Sequence, residues 1–217
     1  MKRNVRMEDI SDGRFYTGND MVKAGCTGCG SCCRGMGQSI ILDPLDIYRM
    51  TACLGVSFET LMADRIELNV VDGVILPNLK MTGSQEQCSF LDSQNRCSIH
   101  SARPGVCRLF PLGRYYENQG FKYFLQIHEC KNSRPLKVKV KKWVDEAELN
   151  MYEDYIKTWH YFLKAVESAL DASDDERIRR QMSLYILQKF YIEEFSREQD
   201  FYEQFHRRIQ EAGGKIL

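Results

Sequence analysis

The sequence predicts an α+β fold: a small, loop-rich, cysteine-bearing domain with two β-hairpins and short helices, followed by a C-terminal helical segment. Three observations carry this. All nine cysteines lie between Cys26 and Cys130, so none falls in the last 87 of the 217 residues. Two apolar stretches are folded back on turn signals, at Asp72-Gly73 and near Asn118–Gly120, as hairpins are. Beyond Trp143 the apolar residues recur at helical spacing. The composition shift sets a boundary near Lys142, giving a cysteine-rich domain over 1–142 and a helical extension over 143–217.

Taken in order, the N-terminus MKRNVRMEDISDGRFY starts basic and has no apolar stretch behind it, which argues against a secretory signal. GCTGCGSCCRGMG is too rich in Gly and Cys for a regular helix and reads as a tight loop whose glycines supply positive φ. SIIL reads as a short apolar strand. In LDPLDIYRMTACLG, Asp43 is an N-cap, Pro44 the first helical residue and Gly55 the stop. Ser57 opens a second short helix, SFETLMADR. IELNVVDGVILPN and RYYENQGFKYFLQIH are the two hairpins. KVKVKK, residues 137–142, is an edge strand or a solvated basic strip. In the tail, Tyr152, Ile156, Trp159, Leu163 and Val166 share one helical face. A second helix begins at Ser173 with an acidic first turn, and a third ends at Gly213-Gly214. An apolar face of this kind must be buried, either on the rest of the chain or in a homodimer or on a protein partner.

Composition excludes several classes of function. Hydrophobic residues make up 43% and charged residues 28%, a globular rather than disordered balance. Thirty basic residues match thirty acidic ones, so no whole-chain field draws the protein to nucleic acid or anionic lipid. No run approaches the roughly 18 apolar residues of a membrane span. Nine cysteines without an export signal, an odd number, point to metal chemistry in the reducing cytoplasm rather than to disulfides.

The cysteines fall into two sets. Cys26, Cys29, Cys32 and Cys33 are spaced C-x2-C-x2-C-C. A C-x2-C pair lets a short loop turn both sulfurs toward one ion, and three cysteines at steps of three are similar to the start of a bacterial ferredoxin run. The fourth follows at once, so Cys32 and Cys33 do not serve one ion in the same way. Cys88, Cys97, Cys107 and Cys130 are widely spaced and must be gathered by the fold. Eight thiols suffice for two four-thiolate zinc sites, for an iron–sulfur cluster plus a zinc, or for one centre with spares. Arg34, Arg103 and Arg108 lie in the same loops, where they either offset thiolate charge or make turn hydrogen bonds. Cys53, inside a helix, reads as a buried free thiol. His100 and His128 lie near cysteines but read as turn or surface residues; His160 and His206 read as ordinary helix residues. Tyr115, Tyr116, Phe121, Tyr123 and Phe124 read as core packing.

CTGCGSCCR, then CSFLDSQNRCSIHSARPGVCRLFP, then Cys130, resembles the YkgJ family of cysteine-cluster proteins, described as a zinc- or iron-chelating domain. The resemblance covers about half of the chain and includes the neighbours Phe90-Leu91, Arg103-Pro104 and Phe110-Pro111. Where the family carries Tyr after C-x-I, this chain has His100, which makes that position a poor ligand. The resemblance implies metal-ligand status for Cys26, Cys29, Cys32, Cys33, Cys88, Cys97, Cys107 and Cys130, around zinc or iron. Flagellin lysine N-methylases share the cysteine pattern in longer chains. Two functions are therefore expected: a thiolate metal centre that is structural or chelating, or an iron–sulfur enzyme of redox or methyl-transfer type. No G-x-G-x-x-G follows a strand in this chain.

Overall fold

The computed structural model describes residues 7–216; residues 1–6 of the stretch read against a secretory signal lie outside them. Turn chemistry decides both hairpins. β3 (Ile66–Val71) and β4 (Val74–Leu79) pair antiparallel, with Asp72 and Gly73 both at positive φ. β7 (Leu112–Glu117) and β8 (Gly120–Gln126) turn on Asn118 and Gln119, again both at positive φ. Two such residues give a turn whose twist matches that of the strands.

Three pairings were not read from the sequence. β1 (Ser11–Tyr16) adds to the second hairpin, giving the order β1-β8-β7. β2 (Met21–Ala24) pairs with β9 (Leu136–Lys139), so part of the KVKVKK strip is a solvent-facing edge strand. β5 (Met81–Thr82) and β6 (Gln87–Cys88) make a minimal ladder. SIIL is not a regular strand: it lies against β4 through one bridge, Ile41 to Asn78, with Leu42 N donating to Pro77 O (2.8 Å) and Leu79 N to Ile40 O (3.0 Å).

After the short α1 (Met7–Ile10), helix α2 spans Pro44–Leu54, with Asp43 as N-cap and Gly55 in the left-handed conformation at its end. Its capping box is completed by Asp46, whose side chain accepts from Asp43 N while Asp43 accepts from Asp46 N. α3 (Phe58–Asp64) starts on Ser57, which accepts from Thr60 N. Cys53 is exposed, against the expectation of burial. It sits in the last turn of α2, beyond the core-facing residues Leu45, Ile47 and Met50, with Sγ 3.9 Å from Ser101 Oγ. Tyr123 and Phe124 are buried as expected; Tyr115 is exposed and packs on Phe15 at the sheet surface.

Short helices α4 (Gly105–Leu109) and α5 (Val140–Val144) precede the tail, and α5 runs through the position near Lys142. α6 (Leu149–Asp171) buries Tyr152, Tyr155, Ile156, Trp159, Phe162 and Val166. α7 (Glu176–Leu187) is capped by Asp175 rather than begun at Ser173, because Asp175 accepts from Arg177 N (2.8 Å). It passes into a π-helical turn, Gln188–Ile192. The buried Arg208 of α8 (Phe201–Ile216) donates to the carbonyls of Lys189 (2.6 Å), Glu193 (2.6 Å) and Glu194 (2.7 Å), satisfying acceptors that the ended helix leaves open. α8 continues through Gly213 and Gly214 instead of stopping there, with Ala212 fully buried just before them.

The tail buries its apolar face on the same chain. One hydrophobic cluster runs from Val22 and Leu42 to Phe190, Phe205 and Ala212. Polar contacts stitch the seam: Tyr155 OH donates to Asp43 Oδ1 (2.9 Å), Tyr191 OH to Leu42 O (3.0 Å), and Ile75 N to Ser183 Oγ (2.7 Å). No described helix is long and apolar enough to cross a membrane.

His160 of α6 stacks on Tyr116 of β7, with centroids 3.6 Å apart and planes 8° from parallel. Burial, with Lys164 nearby, holds its pKa down at about 4. Below the ordinary histidine value of about 6.5 the unfolded chain therefore takes up a proton that the folded chain refuses. Stability present above pH ~6.5 is lost as pH falls toward about 4. Because the ring is half-exposed, solvent screening limits the loss to about 1 kcal/mol. His160→Phe keeps the stack and removes the titration, so denaturant curves at pH 7 and 4.5 should differ by about 1 kcal/mol less than in wild type. An unchanged difference would rule out His160 as the source.

Candidate metal centre

The first cysteine loop is shaped by its glycines. Gly28, Gly30, Gly35 and Gly37 all take positive φ, and Ser31–Cys33 form one turn of 3-10 helix between them. Gly30 is the most constrained: a Cβ there would lie 3.0 Å from Arg34 Nη1 and 3.2 Å from Asn95 O. Arg34 closes the loop from inside and reaches across the chain. Its guanidinium donates to Gly30 O (3.1 Å), Asn95 Oδ1 (2.6 Å) and Gln87 Oε1 (3.4 Å).

The second set is gathered by backbone. An antiparallel bridge joins Arg34 to Gln87, and Gly35 N donates to Glu86 O (3.1 Å), so Cys33 and Cys88 are brought side by side. Asp92 then turns the chain, accepting through Oδ1 from Gln94 N and Arg96 N (both 2.8 Å), and Asn95 takes positive φ. This returns Cys97 to a bridge with Leu91, three residues from Cys88. Cys107 lies on α4, whose first residue is fixed by Asp46: Gly105 N donates to Asp46 Oδ1 (2.7 Å). Cys130 is brought to the first loop by the β2–β9 pair, which flanks both cysteines, and by Asn132 Nδ2 donating to Gly25 O (3.1 Å).

All eight cysteines singled out in the sequence line one of two adjoining cavities. Cys26, Cys32, Cys33, Cys88, Cys97 and Cys107 line the larger, about 580 Å³. Cys26, Cys29, Cys32, Cys107 and Cys130 line the smaller, about 50 Å³. Cys26, Cys32 and Cys107 are common to both, and Cys53 lines neither. All nine are free thiols. Among the described residues no group of three or more His, Cys, Asp or Glu is already drawn into metal-holding geometry.

The thiols feel one another. Burial pushes Cys107 well up, helped by Asp46 and by Cys88, Cys32 and Cys97. Burial likewise raises Cys88 and Cys97. Within the adjacent pair, a hydrogen bond from Cys33 holds Cys32 down, and the same bond, with burial, pushes Cys33 up. Cys33, Cys88, Cys97 and Cys107, whose pKa values are raised, keep their protons until positive charge arrives. A thiophilic cation supplies that charge, releasing protons and drawing the ligands in. By residue type, though not by their present arrangement, the donors suit a thiophilic metal.

A family model described as "Putative zinc- or iron-chelating domain" and named CxxCxxCC matches residues 25–150. The chain belongs to the CxxCxxCC family. The match begins one residue before Cys26 and ends in the first turn of α6, so it takes in every cysteine of both cavities. No curated protein and no solved structure matches the chain.

The other residues of the CxxCxxCC site divide by role. Arg103 lies at the sulfurs, where its charge favours the thiolate forms of Cys32 and Cys97, and its Nη1 is 3.3 Å from His100 Nε2. Arg108 is turned away and paired with Glu146 (3.1 Å), which also takes a fork of 2.6 and 2.7 Å from Arg49. His100 and His128 are exposed. Sequence reasoning missed Asp46 and Arg114. Asp46 had a signal, the acidic residue three positions after an N-cap. Arg114 had only its oddity, a charge within an aromatic strand.

Proposed function

We propose that this chain is a cytoplasmic metal-binding protein that holds a zinc or iron centre through Cys26, Cys32, Cys33, Cys88, Cys97 and Cys107, with Cys29 and Cys130 serving the adjoining side. The supporting observation is that eight thiols from separate chain segments line two cavities with three cysteines in common. A closed four-thiolate site supplies folding free energy, whereas an open position supplies Lewis-acid or redox chemistry. In either case the chain's own work is to position and charge-balance the sulfurs: Arg103 favours the thiolates of Cys32 and Cys97, and Arg34 ties the first loop to Gln87 and Asn95.

Metal analysis on protein purified without oxygen tests this reading. Bound zinc or iron is expected, and Cys107→Ser should lower metal content and stability together, by several kcal/mol for the latter. Chelator treatment should lower the melting temperature of wild type in the same direction. Protein that carries neither metal and takes up neither on titration would end the proposal.

A second reading, an iron–sulfur enzyme of redox or methyl-transfer type, is favoured by one observation. A further cavity of about 750 Å³ opens against Cys32, Cys33 and Cys107, as a substrate site beside a reactive centre would. Iron with inorganic sulfide would favour it; colourless zinc protein would favour the closed centre.

A further inference from the structure

The cavity beside Cys32, Cys33 and Cys107 has its own chemistry. Its walls are largely apolar, with Ile40, Ile41, Phe110 and Phe124 prominent. Arg114 of β7 also lines it. Arg114 Nη2 donates to Tyr152 OH (2.8 Å), and the guanidinium lies 5.6 Å from the ring centres of Phe121 and Tyr152. Its Nε is buried and has no hydrogen-bond partner, as is also true of Arg108 Nε. Among the described residues no carboxylate lies within ion-pair distance of Arg114, and Asp43 acts on it only through its charge. A buried guanidinium donor left over in this way is unusual, since such groups are normally satisfied.

The other charges narrow the ligand. Arg34 lines the cavity but spends its donors on Gly30, Asn95 and Gln87. Exposed Lys131 lies at the rim, and Glu129 is there too. Hydrogen bonds to neutral acceptors leave Arg34 its charge, so two guanidiniums and a rim ammonium face one carboxylate, and the net positive lining suits an anion. The apolar walls suit an anion with a hydrocarbon body.

We propose that this cavity binds a small organic monocarboxylate, with its anionic end on Arg114 and its apolar body along Ile40 and Phe124. Guanidinium matches carboxylate in geometry and charge. The cavity adjoins the cysteines, so the bound molecule would sit next to the metal centre proposed above. That adjacency rests on the metal reading; carboxylate binding does not.

Calorimetric titration of the full chain with hexanoate, hexan-1-ol and inorganic phosphate tests it, on protein as purified and after chelation. Hexanoate should bind more tightly than hexanol or phosphate, and more weakly as salt rises. Arg114→Gln should weaken hexanoate about tenfold or more and leave hexanol unchanged. Lys131→Gln, at an exposed position, should weaken hexanoate about twofold to threefold and settles the matter if the Arg114 variant does not fold. Hexanol or phosphate binding as tightly as hexanoate would overturn the proposal, as would full hexanoate affinity in a folded Arg114→Gln. Hexanoate binding in a protein that neither carries zinc or iron as purified nor takes up either on titration would overturn the metal reading alone; metal without hexanoate binding would overturn this one alone.

Discussion

Asp46→Ala is expected to lower the unfolding free energy by about 3 kcal/mol, the sum of a lost cap and a buried donor left unsatisfied. Asp46 is buried on α2, and its two oxygens accept from different segments: Oδ2 from Asp43 N (3.1 Å) and Oδ1 from Gly105 N (2.7 Å). Burial, with Asp43 beside it, pushes its carboxyl well above the usual range. Alanine leaves both N–H groups without that acceptor. Water cannot readily replace it at Gly105, where even a Cβ would lie 2.7 Å from Tyr152 OH. Since Gly105 opens the helix that carries Cys107, metal occupancy should fall as well. Asp46→Asn keeps one acceptor and should cost about half as much. Urea denaturation followed by circular dichroism measures both variants; a change within about 0.5 kcal/mol, the range of ordinary surface substitutions, would mean that Asp46 does not hold α4.

Arg34→Ala should weaken metal binding about tenfold to a hundredfold, the usual result of removing a group that orients ligands without touching the metal. Arg34 is the side chain that ties the Cys26–Cys33 loop to the Cys88–Cys97 segment, through Gly30 O on one side and Gln87 and Asn95 on the other. Two physical roles are separable here. If Arg34 acts by charge, Arg34→Lys will restore affinity; if by its fork, Lys will behave nearly like Ala, because an ammonium cannot span three acceptors fixed in that arrangement. The geometry favours the fork. Competition against a chelator of known affinity gives the constants, and wild-type affinity in Arg34→Ala would show that the two segments hold their places without it.

Much of this fold was legible because its signals are local. Asp43-Pro44 and Gly55 mark the ends of α2 by backbone preference alone, and Asp72-Gly73 marks a turn for the same reason. Gln119 is less friendly to positive φ, yet Asn118 and Gly120 on either side of it mark the turn. Errors fell where a neighbour overrides the local rule. Gly213-Gly214 reads as a stop, but α8 continues through it after Ala212 is buried. Cys53 reads as an inward helix residue, but α2 outruns the core by one turn. β1 carries little apolar pattern, SDGRFY, and is a strand because β8 offers it an open edge.

For the site, residue type and spacing determined the candidates: eight cysteines, one dense loop and one dispersed set, with thiophilic metal as the natural partner. Sequence could not say how the dispersed set converges, because that depends on pairings between distant segments. The Arg34–Gln87 bridge, the Asp46–Gly105 hydrogen bond and the β2–β9 ladder do the gathering. Nor could it mark Arg114 Nε as a buried donor left over beside the cysteines, since whether a polar group finds a partner is a property of the surroundings the fold gives it. The chemistry was written in the side chains; which of them meet was decided by tertiary contacts, where closeness in space owes little to closeness along the chain.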